Sequence, residues 1–223
     1  MIVAPWGWPI TVAEDFSQYA VLALATYALG SIPFAYLWTR VFAHADLRQV
    51  GTGNASIYSS FFNGGYRPAV MTFASNCAVG LLAVHIAHSF LPGDRTALMI
   101  GIGGATSGAL WPLFTRFRGG SRGTTVVGWS AFFLDFYLGR AFPVIPAITL
   151  GIWAIALLTR RRTFFATSVT YRLFPFVFGI VDRSWEVFIG AAVLSVLLQL
   201  KHQEKYDDST LYGVGRRIGV NKS

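Results

Sequence analysis

Apolar residues run in long blocks along this chain, broken by short polar connections. Seven blocks stand out, at 16–41, 67–91, 96–115, 124–137, 142–158, 163–180 and 184–200. A bilayer core about 30 Å thick needs about 20 helical residues. The pattern therefore predicts an all-α integral membrane protein of about seven transmembrane helices. The helices are expected to form a single membrane domain over 1–223, with 201–223 as a cytoplasmic tail. The fourth block is short, and its helix is expected to start inside the loop before it. Pro33, Pro112, Pro143, Pro146 and Pro175 interrupt or border the blocks, which neighbouring helices can accommodate in a membrane. Between the first two blocks, Ile57, Tyr58, Phe61 and Phe62 repeat at four-residue spacing. They predict a short amphipathic helix over 55–63 lying in the interface, with Asn54 as its N-cap and Gly64-Gly65 as its stop.

Composition agrees. The chain is 54% hydrophobic and 13% charged, with a mean hydropathy of +0.51. A soluble domain carries about 25% charged residues. The composition excludes a soluble enzyme, a disordered chain and an ordinary nucleic-acid-binding domain. Residues 1–15 hold no Lys or Arg, so the start is expected to be retained rather than cleaved as a signal. The lone Cys77 builds no disulfide framework.

The net charge of +8 is arranged by loop. Taking connections alternately, one set and the tail hold fourteen Lys and Arg. The other set holds Arg95, Arg140 and Arg183. The positive-inside rule then puts the N-terminus outside and the C-terminus in the cytoplasm. Arg172 lies within the sixth block and needs a partner or a water-filled cavity; the sequence names none. Arg160, Arg161 and Arg162 read as a topology anchor that meets anionic lipid. Trp6, Trp8 and Trp111 suit the interfacial belts. Gly101, Gly104, Ala105 and Gly108 are spaced for close helix packing, within the chain or between copies.

The candidate chemistry lies on the cytoplasmic side. Gly30-Ser31-Ile32-Pro33-Phe34 puts a serine beside a proline break, with its hydroxyl expected to be free. Asp46-Leu47-Arg48 leads into Gly51-Thr52-Gly53-Asn54, where a cation and backbone N–H groups suit a phosphate. Arg118-Gly119-Gly120-Ser121-Arg122-Gly123 opens the fourth block with a second anion-cradling composition. It lacks the Gly-Lys-Ser/Thr ending of a P-loop. His85 and His88 have no evident third ligand for a metal, and no metal or other cofactor is expected. No nucleophile elbow appears.

These motifs, in this order and through the Pro112–Gly120 stretch, resemble the bacterial acyl-phosphate:glycerol-3-phosphate acyltransferases. The resemblance covers most of the chain. It implies a seven-span inner-membrane enzyme of phospholipid biosynthesis in a bacterium. That enzyme would pass a fatty acyl group from acyl phosphate to the sn-1 hydroxyl of glycerol 3-phosphate, giving lysophosphatidic acid. Its partners would be the two substrates and membrane lipid, not nucleic acid, with oligomeric state open. The family match implies that Ser31, Arg48 and His202 are catalytic. Gly51, Gly53, Asn54, Arg118, Gly119, Gly120, Ser121 and Arg122 would bind phosphate. The chain departs from the family at Asn76 and Val79, where an Asp and a Lys are usual, and at Ala109, where a His is usual. Of the family's tail motif only His202 remains. An alternative reading is a paralogue without catalysis that binds phosphorylated lipid or regulates an active partner.

Overall fold

The computed structural model describes residues 12–50, 53, 56–117, 123–160 and 163–201. Among these the fold is all helical. It comprises α1 (Val12–Ser31), α2 (Phe34–Ala43), α3 (Ile57–Gly64), α4 (Tyr66–Phe90), α5 (Arg95–Leu110), α6 (Gly123–Tyr137), α7 (Val144–Arg160), α8 (Thr163–Asp182) and α9 (Trp185–Lys201). A 3-10 turn at Leu113–Thr115 follows α5.

Two predicted blocks end differently from their apolar runs, and proline explains both. The first block divides at Ile32–Pro33 into α1 and α2, because Pro33 cannot donate to the helical ladder. The third ends at Leu110, because Pro112 drives Trp111 out of the helical region. Pro175 sits inside α8 without ending it. The short helix also differs: it begins at Ile57, and its N-cap is Ser56, whose side chain accepts from the Ser59 N–H at 2.9 Å. Asn54 lies outside the described residues. Gly65 stops the helix at φ +87, as expected for a residue of this kind.

Among the described residues three stretches, Phe16–Ala43, Tyr66–Phe90 and Arg95–Thr115, are long and apolar enough to cross a membrane. The surface is apolar too. Phe16, Leu24, Leu150, Leu158, Ile180 and Trp185 are all well exposed. Polar residues meanwhile occupy the buried face of α3, at Ser59 and Ser60, while Tyr58, Phe61 and Phe62 point out. This inversion is stable only where lipid replaces water as the solvent.

Helix α5 is the centre of the bundle and touches α1, α4, α6 and α9. Its approach to α1 is backbone on backbone. A methyl group on Gly30 would lie 2.0 Å from the Ala105 carbonyl oxygen, and one on Gly108 would lie 2.2 Å from that of Tyr27. Gly104 closes on Thr26 and the Ala23 carbonyl. The small-residue stripe thus serves packing within the chain. Leu22, Leu98, Ile102, Leu194 and Leu198 fill the core around it.

The end of the bundle opposite Ser31 is tied by charge. Arg140 meets Asp135 at 2.6 Å and Asp182 at 2.9 Å, and Arg95 meets Asp182 at 3.0 Å. The Asp135 carboxylate, fully buried, also accepts from the Ile145 N–H at 2.8 Å. Asp94 caps α5 through the Thr96 N–H and accepts from the Tyr19 hydroxyl. These contacts join α1, α5, α6, α7 and α8. Removing one member of a buried pair strands the other charge.

Arg140→Met should therefore destabilise the protein by about 3 kcal/mol, read as a lowered unfolding midpoint in detergent. Gly30→Ala should destabilise it by about 3 kcal/mol through overpacking. Gly103→Ala, on the same bundle with nothing within 4 Å of the new methyl, should be neutral or stabilise by up to about 1 kcal/mol.

Candidate functional site

The site begins at the proline break. Ser31 is the last residue of α1 and is fully buried. Its hydroxyl is not free, as the sequence suggested. It donates to the Tyr27 carbonyl at 2.8 Å, because Ser31 is still within helical reach of residue i−4. The oxygen keeps its capacity to accept. Tyr27 in turn donates from its own hydroxyl to the Trp111 carbonyl at 2.8 Å, joining α1 to the end of α5. Lys201, closing α9, sets its ammonium 5.7 Å from the centre of the Trp111 ring. The break after α1, the connection after α5 and the end of α9 therefore meet at one end of the bundle.

The segment after α2 folds back onto it. Leu47 is fully buried with Ala35, and Tyr36 and Val50 pack against the pair. That anchor fixes its neighbours. Arg48 Nε donates to Asp46 Oδ1 at 2.9 Å and Arg48 Nη2 to Asp46 Oδ2 at 2.8 Å, a two-point contact along one guanidinium edge. The Arg48 backbone N–H adds a bond to Asp46 Oδ1 at 3.0 Å. The guanidinium carbon stands 5.8 Å from the centre of the Tyr36 ring. The Tyr36 hydroxyl donates to the Gly53 carbonyl at 2.9 Å. One tyrosine thus holds both the cation and the glycine turn. Gly53 donates to the Val50 carbonyl at φ +70, where a side chain would be strained.

The electrostatics follow from the pair. The Arg48 side chain, and then its N–H, hold the Asp46 carboxyl below the usual carboxylate range, and Asp46 raises Arg48. A depressed carboxylate stabilises the fold above its ordinary pKa and stops doing so as pH falls through the lowered value. The pair therefore stays ionised at neutral pH. Arg48 is 57% exposed, so the contact orients the guanidinium more than it stabilises the chain. Its other edge faces away from Asp46 and suits a phosphate.

The second loop leaves the 3-10 turn under strain. Arg116 and Phe117 both take positive φ, 54 and 61. Phe117 is held there by its N–H bond to the Pro112 carbonyl at 3.0 Å. Consecutive left-handed residues without glycine are costly and concentrate at functional loops. The chain re-enters helix at Gly123, the start of α6. Gly51, Asn54, Arg118, Gly119, Gly120, Ser121, Arg122 and His202 lie outside the described residues.

Sequence reasoning missed Tyr27 and Tyr36. Tyr27 stands one turn before Ser31, and that spacing was the available signal. It also missed a buried polar track. Ser60 and Thr72 share a hydrogen bond at 3.3 Å, and Asn76 lies one turn further along α4. Asn76, Thr106 and Ser130 are fully buried on α4, α5 and α6 and have no side-chain partner among the described residues. Away from the site, His85 Nδ1 meets the Tyr137 hydroxyl at 2.7 Å.

Known proteins resemble most of the chain. The family model described as glycerol-3-phosphate acyltransferase matches residues 20–209. A glycerol-3-phosphate acyltransferase of Syntrophomonas wolfei is 31% identical over 191 residues, covering 85% of this chain and 92% of its own. One of Ralstonia pickettii is 32% identical over 206 residues, covering 91% and 95%. In fold, the chain resembles a crystal structure of PlsY (YgiH), an integral membrane glycerol 3-phosphate acyltransferase, in its glycerol 3-phosphate form. The TM-score is 0.72 at 22% identity, over 90% of this chain and 96% of that one. The lysophosphatidic acid form of PlsY gives 0.71 at 20% identity.

Tyr36→Phe keeps the ring under Arg48 and removes the tether to Gly53. It should weaken binding of a phosphorylated ligand about threefold to tenfold, about 1 kcal/mol for one neutral hydrogen bond. Isothermal titration of the wild type and variant with glycerol 3-phosphate measures this.

Proposed function

The chain belongs to the glycerol-3-phosphate acyltransferase family and is an acyltransferase, and on that premise we propose the chemistry in full. It transfers a fatty acyl group from acyl phosphate to the sn-1 hydroxyl of glycerol 3-phosphate, giving lysophosphatidic acid and inorganic phosphate. The observation that carries this reading is the Tyr36 tether, which sets the Arg48 cation beside the Gly53 turn. Such a pairing of guanidinium and glycine backbone suits a phosphate dianion.

Both substrates carry phosphate, and the chain supplies two glycine-rich basic loops. Arg48 and the backbone of Gly51–Asn54 hold one phosphate, and Ser31 joins them by turning its hydroxyl from the Tyr27 carbonyl to donate to the phosphate. Arg118, Gly119, Gly120, Ser121 and Arg122 hold the other. The sn-1 oxygen then attacks the acyl carbonyl, the C–O bond of the acyl–phosphate mixed anhydride breaks, and phosphate leaves with the bonding electron pair. Positioning supplies most of the rate. The proton of the attacking hydroxyl passes to substrate phosphate or to His202, which follows Lys201 in sequence. The placement of Lys201 over Trp111 supports a role for that region at the site.

The protein is a membrane protein, with an apolar exterior and three stretches fit to span. The finer arrangement we propose has seven spans in the inner membrane of a bacterium, N-terminus outside. Helices α1 and α2 together form the first span. The charge distribution supports this orientation. Of the three cations assigned outside, Arg95 and Arg140 are bound to Asp182 and Asp135.

The test is turnover. Purified protein with acyl phosphate and labelled glycerol 3-phosphate should form labelled lysophosphatidic acid. Arg48→Ala should lower kcat/KM by roughly 10²–10³, the loss typical of removing one donor from a preorganised anion-binding site. Full activity in Arg48→Ala would end the site assignment.

A further inference from the structure

Arg172 occupies a position that the acyl-transfer reading leaves unexplained. It lies nine residues from Thr163 and ten from Asp182 in α8, so its backbone is about 14 Å from either end of the helix. Ala166, Tyr171, Phe174, Val177 and Phe178 bury one face of that helix. At 100° per residue Arg172 falls on the opposite face, in line with Phe165, Ser168 and Phe176. It is exposed there beside exposed Leu173 and Phe176.

A guanidinium facing lipid at that depth needs an anion. Arg172 makes no ion pair or hydrogen bond among the described residues. Nor do the described residues hold an acid at that depth to offer. The described acids sit in connections or near helix ends: Glu14 and Asp15 in the first turn of α1, Asp46 after α2, Asp94 at the α5 cap, Asp135 and Asp182 in the far network, and Glu186 in the first turn of α9. A second copy would therefore bring no counter-charge at mid-depth.

The face does carry a second cation. The Arg160 guanidinium stands 5.3 Å from the centre of the Phe165 ring, on the same line of α8 as Arg172. Helical side chains lean toward the N-terminus, and long cationic ones extend toward the interface. Arg172 is thereby biased toward the Arg160 end, with Ser168 between the two.

We propose that this face of α8 binds one anionic phospholipid of the cytoplasmic leaflet. Its phosphodiester is drawn between Arg160 and Arg172, and its chains lie along Phe176 and Leu173. The assignment to that leaflet rests on the proposed orientation, in which α8 starts in the cytoplasm. The site is separate from the acyl-transfer site, so either proposal can fail alone.

The experiment compares lipid retention. Full-length protein reconstituted with phosphatidylglycerol and phosphatidylcholine, then released into detergent, is examined by native mass spectrometry. The wild type should retain one phosphatidylglycerol. Arg172→Leu should bind it at least tenfold more weakly, Arg172→Lys should retain part of the affinity, and Arg183→Leu at the far end should match the wild type. Excess inorganic phosphate should not displace the lipid. Arg172→Leu should fold and turn over as the wild type does, since leucine suits a lipid-facing position.

Equal retention by Arg172→Leu would overturn the proposal. So would a dimer that Arg172→Leu dissociates, since the face would then be covered by a second copy. Rapid reaction of Arg172→Cys with a water-soluble maleimide in sealed vesicles, on a Cys77→Ser background, would overturn it by placing the residue in water. None of these results would bear on turnover.

Discussion

The backbone contact between α1 and α5 is the constraint on which the rest depends. Gly30 rests on the Ala105 carbonyl and Gly108 on that of Tyr27. No side chain larger than hydrogen fits at either point. In lipid no hydrophobic force drives helices together, so close van der Waals packing must do so. The same contact fixes the height at which α1 ends. Ser31, the next residue after Gly30, is pinned beside Gly108, and the chain turns at Pro33 where the loop bearing Arg48 can fold back. A shift of α1 along α5 by one turn would carry the break, Tyr36 and Arg48 with it by about 5.4 Å.

The two ends of the bundle use charge in opposite ways. At the far end Arg140 and Arg95 are satisfied by Asp135 and Asp182, and the carboxylates are almost fully buried. The result is a closed set of contacts that joins five helices and leaves little charge to offer a ligand. At the site end Arg48 is paired on one edge only and remains more than half exposed. One end is closed by its own charges, and the other holds a guanidinium with one edge open.

Much of this was legible in the sequence. Apolar runs located the long helices because lipid demands length and apolarity over each span. The Gly30–Pro33 motif marked the break. Charge spacing separated the two ends. What the sequence hid depended on contacts between distant residues. Tyr36 reads as one more aromatic in an apolar run, yet its ring meets Arg48 and its hydroxyl reaches Gly53, seventeen residues further on. The fate of the Ser31 hydroxyl turned on whether residue 31 stayed helical. Ser56 displaced Asn54 as the α3 cap because the helix starts two residues later than its aromatic spacing suggests. The Arg140 network joins residues more than forty positions apart, and no local pattern announces it.

The buried polar track along α4 carries the argument one step further. The resemblance implies an Asp and a Lys at the positions of Asn76 and Val79, groups of opposite charge about one turn apart on the helix. Here Asn76 is buried without a charge, and Val79 is buried in an apolar cluster with Ala83, Ala105, Ala109 and Val126. Losing either charge alone would strand the other in a low-dielectric interior, a heavy penalty. Losing both leaves an amide and a valine, which the same helices can enclose. Ala109, where a His is usual, joins that cluster and removes a further polar group. Asn76, Val79 and Ala109 together leave this α4–α5–α6 interior without a charge. The cation open to a ligand is held instead at the loop, where Arg48 is paired along one edge and exposed on the other.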